Sequence, residues 1–287
     1  HMVTVTAVHG DITRQRVDAI VNAANNAMRG GGGVDGAIHR AGGRVILDDC
    51  IARFPDGLRT GDAGWTTAGD LPATWVIHTV GPNYGAGERD RALLESCYRR
   101  ALEVADEIGA RSVSFPLISA GVYAWPLNDA IDAAVTTIAK TPTRVEEVVL
   151  VSFSEDTHRR VQSQVHRLFP PPTEPGSVGQ LFDRPPAQMG MRGDAYLWLA
   201  LRAEFAATPL PSTWFELRPM VVQAAEGIIG APLAHTDDPI HVPEFDPGHG
   251  MSAGNVLPSW WHQTGIPILI DRFEAAEQSN NTERSAD

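Results

Sequence analysis

Lysine is nearly missing from this chain. Lys140 is its single lysine, and every other basic residue is arginine. Acidic residues outnumber basic ones, and the formal net charge is −12. A basic footprint is therefore lacking, which argues against sequence-independent binding to a nucleic-acid backbone. An anionic small ligand is not excluded, because backbone N–H groups in a glycine loop need no lysine. Cysteine is scarce as well. Cys50 and Cys97 form no C-x-x-C pair, so neither a zinc knuckle nor a redox motif is indicated. Both fall in amphipathic segments and read as buried free thiols, which fits a reducing cytoplasm. No apolar run approaches the ~20 residues of a membrane span, and no signal-peptide pattern is present. His1 reads as a cloning remnant.

What is present is an alternation of short apolar runs and amphipathic stretches. Strands are expected at Val3–Val8, Val17–Val21, Ala63–Ala68, Thr74–Val80, Ser112–Ile118 and Val145–Phe153. Helices are expected from Val34 to Phe54 with a break at Gly42-Gly43, from Arg89 to Gly109, from Pro126 to Lys140, and from Ser154 to Phe169. Alternation of this kind implies an α/β layered sheet with helices on both faces. Ligands of such sheets bind beyond the carboxyl ends of the strands. Three loops follow strand ends: Asn22 to Val34, Ser119 to Tyr123, and Phe153 onward. One cleft lined by all three is the geometric expectation.

The first of these loops carries four consecutive glycines, Gly30 to Gly33, between a strand and a helix. Glycines let backbone amides approach a phosphate, and the helix N-terminus adds partial positive charge. No Lys-Ser/Thr pair follows, so this is not a Walker loop; nor does it fit the dinucleotide fingerprint. Asn25 and Asp35 flank the glycines. One can hydrogen-bond a sugar hydroxyl, and the other can accept a proton from water. Asp35 can equally complement the helix dipole. Asp11 can cap a turn or accept from the amine of a base. His39 reads as a packing or helix-surface residue.

Taken together, Gly10-Asp-Ile-Thr13, Val17-Asp-Ala-Ile-Val-Asn-Ala-Ala-Asn25, Gly30-Gly-Gly-Gly-Val-Asp-Gly-Ala-Ile-His39, Val76-Ile-His-Thr-Val-Gly-Pro82 and Phe115-Pro-Leu-Ile-Ser-Ala-Gly-Val-Tyr123 resemble the macrodomain family, in its MacroD-type branch. The resemblance covers residues 3–168. It implies a three-layer α/β/α fold with a mixed central sheet, binding of ADP-ribose, and hydrolysis of the ester between ADP-ribose and an acidic side chain or an acetyl group. It implies neither cofactor nor catalytic metal, and it implies ADP-ribose and ADP-ribosylated proteins as partners. Cysteine usage and the lack of a long apolar run point separately to a cytoplasmic protein off the membrane. The oligomeric state stays open, with a monomer favoured. Asn25 matches the asparagine that orients the distal ribose, and Asp35 the catalytic acidic residue. Asp35 acts either as general base on the attacking water or by orienting the ribose while the phosphate holds the water, and the sequence leaves both open. Asp11 and Ile12 match the adenine contacts. Asn22 and Gly31, Gly32, Gly33 and Val34 fall on the first ligand-binding loop. Ser119, Ala120, Gly121 and Val122 match the second diphosphate loop, Tyr123 the aromatic on the distal ribose, and Phe153 the aromatic against adenine. Core packing is the alternative for Tyr123 and Phe153. Two other function classes fit the same residues: a reader of ADP-ribose without turnover, and an interaction protein whose C-terminal domain recruits or neutralises a partner. Asn25 and Asp35 favour the enzyme.

The macrodomain is expected over residues 3–169, a proline-rich linker over 170–186, a small α+β accessory domain over 187–273, and a flexible tail over 274–287. In the accessory domain Asp194 is expected to cap a helix, Trp214–Ile229 to form a second helix, Trp260-Trp261 to lie on a short helix, and Pro267–Asp271 to form a strand. Its polar candidates are Arg192, Asp194, His241, Glu244, His249, Ser252 and His262, with Gly248–Gly254 as a possible functional loop. The histidines show no tight metal-ligand spacing.

Overall fold

A computed structural model describes residues 3–246 and 253–285, the side chains of residues 283 and 284 apart. The chain divides into two compact units, one ending at Phe169 and the other beginning at Pro170.

The first unit is built on a six-stranded sheet: β1 (Thr4–His9), β2 (Ala19–Ala24), β3 (Ala63–Thr67), β4 (Trp75–Val80), β5 (Ser112–Phe115) and β6 (Glu147–Ser152), in the order β1-β6-β5-β2-β4-β3. β3 runs antiparallel to β4 and the other pairs are parallel, so the sheet is mixed. Five helices cover it: α1 (Gly33–Gly42), α2 (Arg44–Arg53), α3 (Arg91–Ile108), α4 (Leu127–Lys140) and α5 (Glu155–Leu168). Strand alternation sends Ala19 and Val21 into a core with α3, α4 and α5, and Ile20 and Ala24 into a core with Ile38 of α1 and Ile46 of α2. Three layers result.

Local chemistry sets the helix ends. Asp90 caps α3 by accepting from the amide of Ala92, and Gly109 ends it in the left-handed region. Ser154 caps α5 by accepting from the amide of Thr157. The expected break between α1 and α2 falls at Gly43, whose φ of 88° suits glycine.

The strand order reverses between β5 and β2. They pair only through Ala19–Val113 and Ile20–Ser114, after which β2 runs on against β4 alone. A crevice opens at such a point because the two chains leave in opposite directions.

The second unit contains α6 (Arg192–Glu204), α7 (Trp214–Ile229), the two-residue strands β7 (Ile240–His241) and β8 (Asn255–Val256), and α8 (Pro258–Trp260), which continues through a π-turn (Trp261–Gly265) into α9 (Ile266–Arg284). Three expectations are corrected here. Residues 170–186 are not simply a linker: a 3₁₀ turn at Val178–Phe182 buries Val178, Leu181 and Phe182 in this unit's core. Pro267–Asp271 is helix. A run of four apolar residues, Pro267 to Ile270, has no period of its own, and the helical π-turn before it carries the chain on as helix. Proline is tolerated there because the π-turn directly before it has already interrupted the i→i−4 ladder in which its missing N–H would have taken part. Residues 274–284, expected as a tail, extend that helix.

Asp194 is not an N-cap. It stands at the third position of α6, fully buried, and its Oδ2 accepts from the amide of Met191, the N-cap residue. Its Oδ1 accepts from the amide of Leu257 and from Nε1 of Trp261, at 3.0 and 2.8 Å. Burial pushes its carboxyl up to about 6 against these three donors.

Candidate active site

A cleft of about 750 Å³ opens at the carboxyl ends of β2, β5 and β6. Of the residues singled out in the sequence, it brings together Asn25, Gly31 to Asp35, Ser119 to Tyr123, and Phe153. Asp11, Ile12 and Asn22 do not line it. Ile12 is buried in the α1–α2 core. Asp11 caps the 3₁₀ turn Ile12–Arg14, and the hydroxyl and amide of Thr13 hold its carboxyl below the usual range.

The first wall is the loop from Asn25 to Gly32. Asn25 folds it: Nδ2 donates to the carbonyl of Gly30 at 3.1 Å, and Oδ1 accepts from the amide of Met28 at 3.3 Å. Arg29 fastens it from outside, donating through Nη1 to the carbonyls of Ala27, Met28 and Phe54. Gly32, at the N-cap of α1, offers no side chain to the first-turn amides. Those amides and the helix dipole face the end of the loop, which is the local chemistry of an anion site.

Asp35 lies in that first turn and is 5% exposed. Its Oδ1 accepts from Nδ2 of Asn22 at 2.8 Å and is 3.3 Å from Nε2 of His39. Its Oδ2 faces Gly31, and so does Nδ2 of Asn25: a Cβ added at Gly31 would stand 3.1 and 3.2 Å from them. One carboxylate oxygen is thus held from behind while the other shares the Gly31 side with the asparagine.

The second wall is the turn from Pro116 to Trp125. Ser119 sits at φ 64°, a left-handed conformation that costs a serine on the order of 1 kcal/mol. The turn over-determines it: the amide of Trp125 donates to the carbonyl of Ser119 at 2.9 Å, and the amide of Ile118 donates to the hydroxyl of Tyr98. Gly81 makes the approach possible, because a Cβ there would fall 2.3 Å from Oγ of Ser119. The third wall is the end of β6 and the start of α5, from Val151 to Ser154. Oγ of Ser119, like Oγ of Ser152 on that wall, is buried with no partner in the protein. Phe153 stands at the rim of the third wall, 62% exposed, and Val122 of the second is 93% exposed.

His78, Tyr98 and Arg29 carry no role in the reading of the sequence, whereas His39, expected to pack or to hydrogen-bond along the helix surface, stands one turn from Asp35. His78 had a signal. It interrupts an apolar strand, and it lies in register with Asn22 on the neighbouring strand. Two polar residues facing one buried layer must satisfy each other.

In the second unit, Nδ1 of His241 lies 3.0 Å from Oδ1 of Asn255, and Nε2 of His262 lies 2.6 Å from the carbonyl of Leu233. Gly248, His249 and Ser252 fall outside the described residues. Among the described residues no group of three or more His, Cys, Asp or Glu is placed to hold a metal ion, and no helix is long and apolar enough to cross a membrane.

Residues 21–134 match the Macro domain family. A Macro domain-containing protein of Streptomyces nogalater, from its sno 5′ region, is 58% identical over 161 residues, covering 55% of this chain and 88% of the relative. The O-acetyl-ADP-ribose deacetylase of Salmonella typhimurium is 49% identical over 158 residues, covering 53% of this chain and 88% of that enzyme. The solved structure of the Oceanobacillus iheyensis macrodomain with ADP superposes with a TM-score of 0.55 at 39% identity, over 58% of this chain and 92% of that one.

Proposed function

The chain belongs to the Macro domain family, and from that premise we propose that it is a hydrolase of ADP-ribose esters, releasing ADP-ribose from O-acetyl-ADP-ribose and from mono-ADP-ribosylated acidic side chains. One observation carries the proposal. The carboxylate of Asp35 is anchored through Oδ1, while Oδ2 looks toward the Gly31 side of the cleft beside Asn25.

The roles are those that the family resemblance implies, and the meeting of the three loops in one cleft supports them. The loops Gly31–Val34 and Ser119–Val122 supply backbone amides to the diphosphate from two sides. Asn25 and Tyr123 orient the distal ribose, and Phe153 packs on the adenine. A water held beside Asp35 attacks the ester carbonyl carbon, and Asp35 takes its proton. Loop amides receive the charge that develops on the carbonyl oxygen. The bond from the carbonyl carbon to the ribose oxygen then breaks. The departing ribose oxygen takes back the proton held by Asp35 and leaves as a hydroxyl, and the acid formed loses its own proton to solvent, giving acetate or the free side-chain carboxylate. Nothing in this reading calls for a metal.

The test compares wild type with Asp35→Ala. Calorimetry should give ADP-ribose affinities within about threefold of each other. Chromatography of released ADP-ribose should give a turnover lower by ~10²-fold or more in the variant. Wild type without turnover, or a variant with undiminished turnover, overturns the proposal.

A further inference from the structure

Behind Asp35 lies a line of buried polar groups that no step of the reaction touches. Nδ2 of Asn22 donates to Oδ1 of Asp35 at 2.8 Å and also lies 3.0 Å from Nδ1 of His78. Nε2 of His78 lies 2.8 Å from Oγ1 of Thr66, and that hydroxyl donates to the carbonyl of Thr67 at 3.0 Å. Asn22, His78 and Thr66 are all fully buried.

The donors and acceptors on this line can be assigned from the far end. A backbone carbonyl only accepts, so the single proton of Thr66 Oγ1 goes to Thr67. Oγ1 must then accept from His78, which places the imidazole proton on Nε2. Nδ1 is left as an acceptor and takes one of the two amide protons of Asn22. The other goes to Asp35. With the carboxamide turned over, Oδ1 of Asn22 would face two acceptors at once, the carboxylate and the ring nitrogen. His78 therefore decides which way Asn22 points.

On the reading of Asp35 given above, we infer that His78 is a positioning residue for the reaction: as the Nε2–H tautomer it fixes the carboxamide of Asn22, and through it the direction in which Asp35 presents Oδ2. The ring holds that state because burial lowers it to about 3, outweighing the attraction of Asp35 and Asp49 and reinforced by His39. Cys50, whose Sγ is 3.7 Å from Nε2, stays a neutral thiol, pushed up to about 11 chiefly by burial. A charged ring would carry a proton on Nδ1 and could no longer accept from Asn22.

The test uses the full chain and two variants that shrink the ring alike. His78→Asn puts a carbonyl oxygen where Nδ1 stood and keeps the acceptor; His78→Leu removes it. Both should lose stability, and both should bind ADP-ribose within about threefold of wild type. In His78→Leu, kcat on O-acetyl-ADP-ribose should fall by ~10- to 10²-fold with KM little changed, because misplacement by about 1 Å has that cost. In His78→Asn, kcat should recover to within about threefold of wild type. Nitrogen-15 spectra of the wild-type ring should show a protonated Nε2 and a bare Nδ1 from pH 5 to 8. A His78→Leu protein with wild-type kcat, equal losses in both variants, or a proton on Nδ1 overturns the inference. Should the variants not fold, the wild-type ring spectrum decides it. Wild type without turnover refutes the hydrolase reading instead, and the tautomer still reports on the line itself.

Discussion

The hydroxyl of Tyr98 accepts the amide proton of Ile118 at 2.9 Å, one residue before the strained Ser119. A side chain in the middle of α3 thereby holds the backbone that turns into the second wall of the cleft. Burial raises the phenol, so it stays neutral in this role. Tyr98→Phe leaves a buried amide without a partner and should cost ~1–3 kcal/mol in urea unfolding. It should also weaken ADP-ribose binding, since Ser119–Val122 lose their support; calorimetry checks this. Unchanged stability and affinity would separate Tyr98 from the loop.

Gly31 faces both polar partners of the proposed reaction. An added methyl would stand at 3.1 Å from Oδ2 of Asp35 and 3.2 Å from Nδ2 of Asn25, tight enough to move one of them. Its backbone does not need a positive φ, so Gly31→Ala tests space and not strain. Turnover should fall by ~10-fold or more while ADP-ribose affinity changes less, as expected when reacting groups are displaced slightly. Steady-state kinetics paired with calorimetry separates the two.

Phe153 is exposed, and its removal should leave stability within about 0.5 kcal/mol. Stacking of a base on an aromatic ring is worth ~1–3 kcal/mol. Phe153→Ala should therefore bind ADP-ribose ~10-fold more weakly or worse, with ribose 5-phosphate unaffected. Equal losses for both ligands would place Phe153 away from the adenine.

Asp194 gives the second unit a pH dependence of unusual sign for a carboxylate. Its folded value of about 6 lies above the ordinary 3.8, so the folded state holds the proton more tightly than the unfolded one. The stability it contributes is full below about pH 4 and is lost as pH rises through about 6. Between pH 5 and 7 wild type should lose about 1 kcal/mol more than Asp194→Asn, which has no proton to lose. Urea unfolding followed by amide exchange in α6 measures the difference. A wild type that gains stability over this interval contradicts the assignment.

Much of the fold was legible because its signals are local. Apolar strands, the helix start at Ser154 and the stop at Gly109 depend on a few neighbouring residues and water. The cleft was legible for a similar reason: parallel strands end on one side, so the loops after β2, β5 and β6 must meet there. Pro267–Asp271 misled because a short apolar run has no period, and its state was set by the helical turn that precedes it. Residues 170–186 misled because proline obscured three apolar residues that a core elsewhere in the unit required.

By itself, the chain's order of residues determined the layered sheet, the glycine loop and the nearness of Asn25 to Asp35, ten positions apart on one loop and one helix turn. Tertiary structure alone decided what stands behind them. Asn22 meets His78 across 56 residues, and Tyr98 meets Ile118 from another layer. A buried polar group must find its partner wherever packing brings one, and that partner's place in the chain leaves no periodic trace.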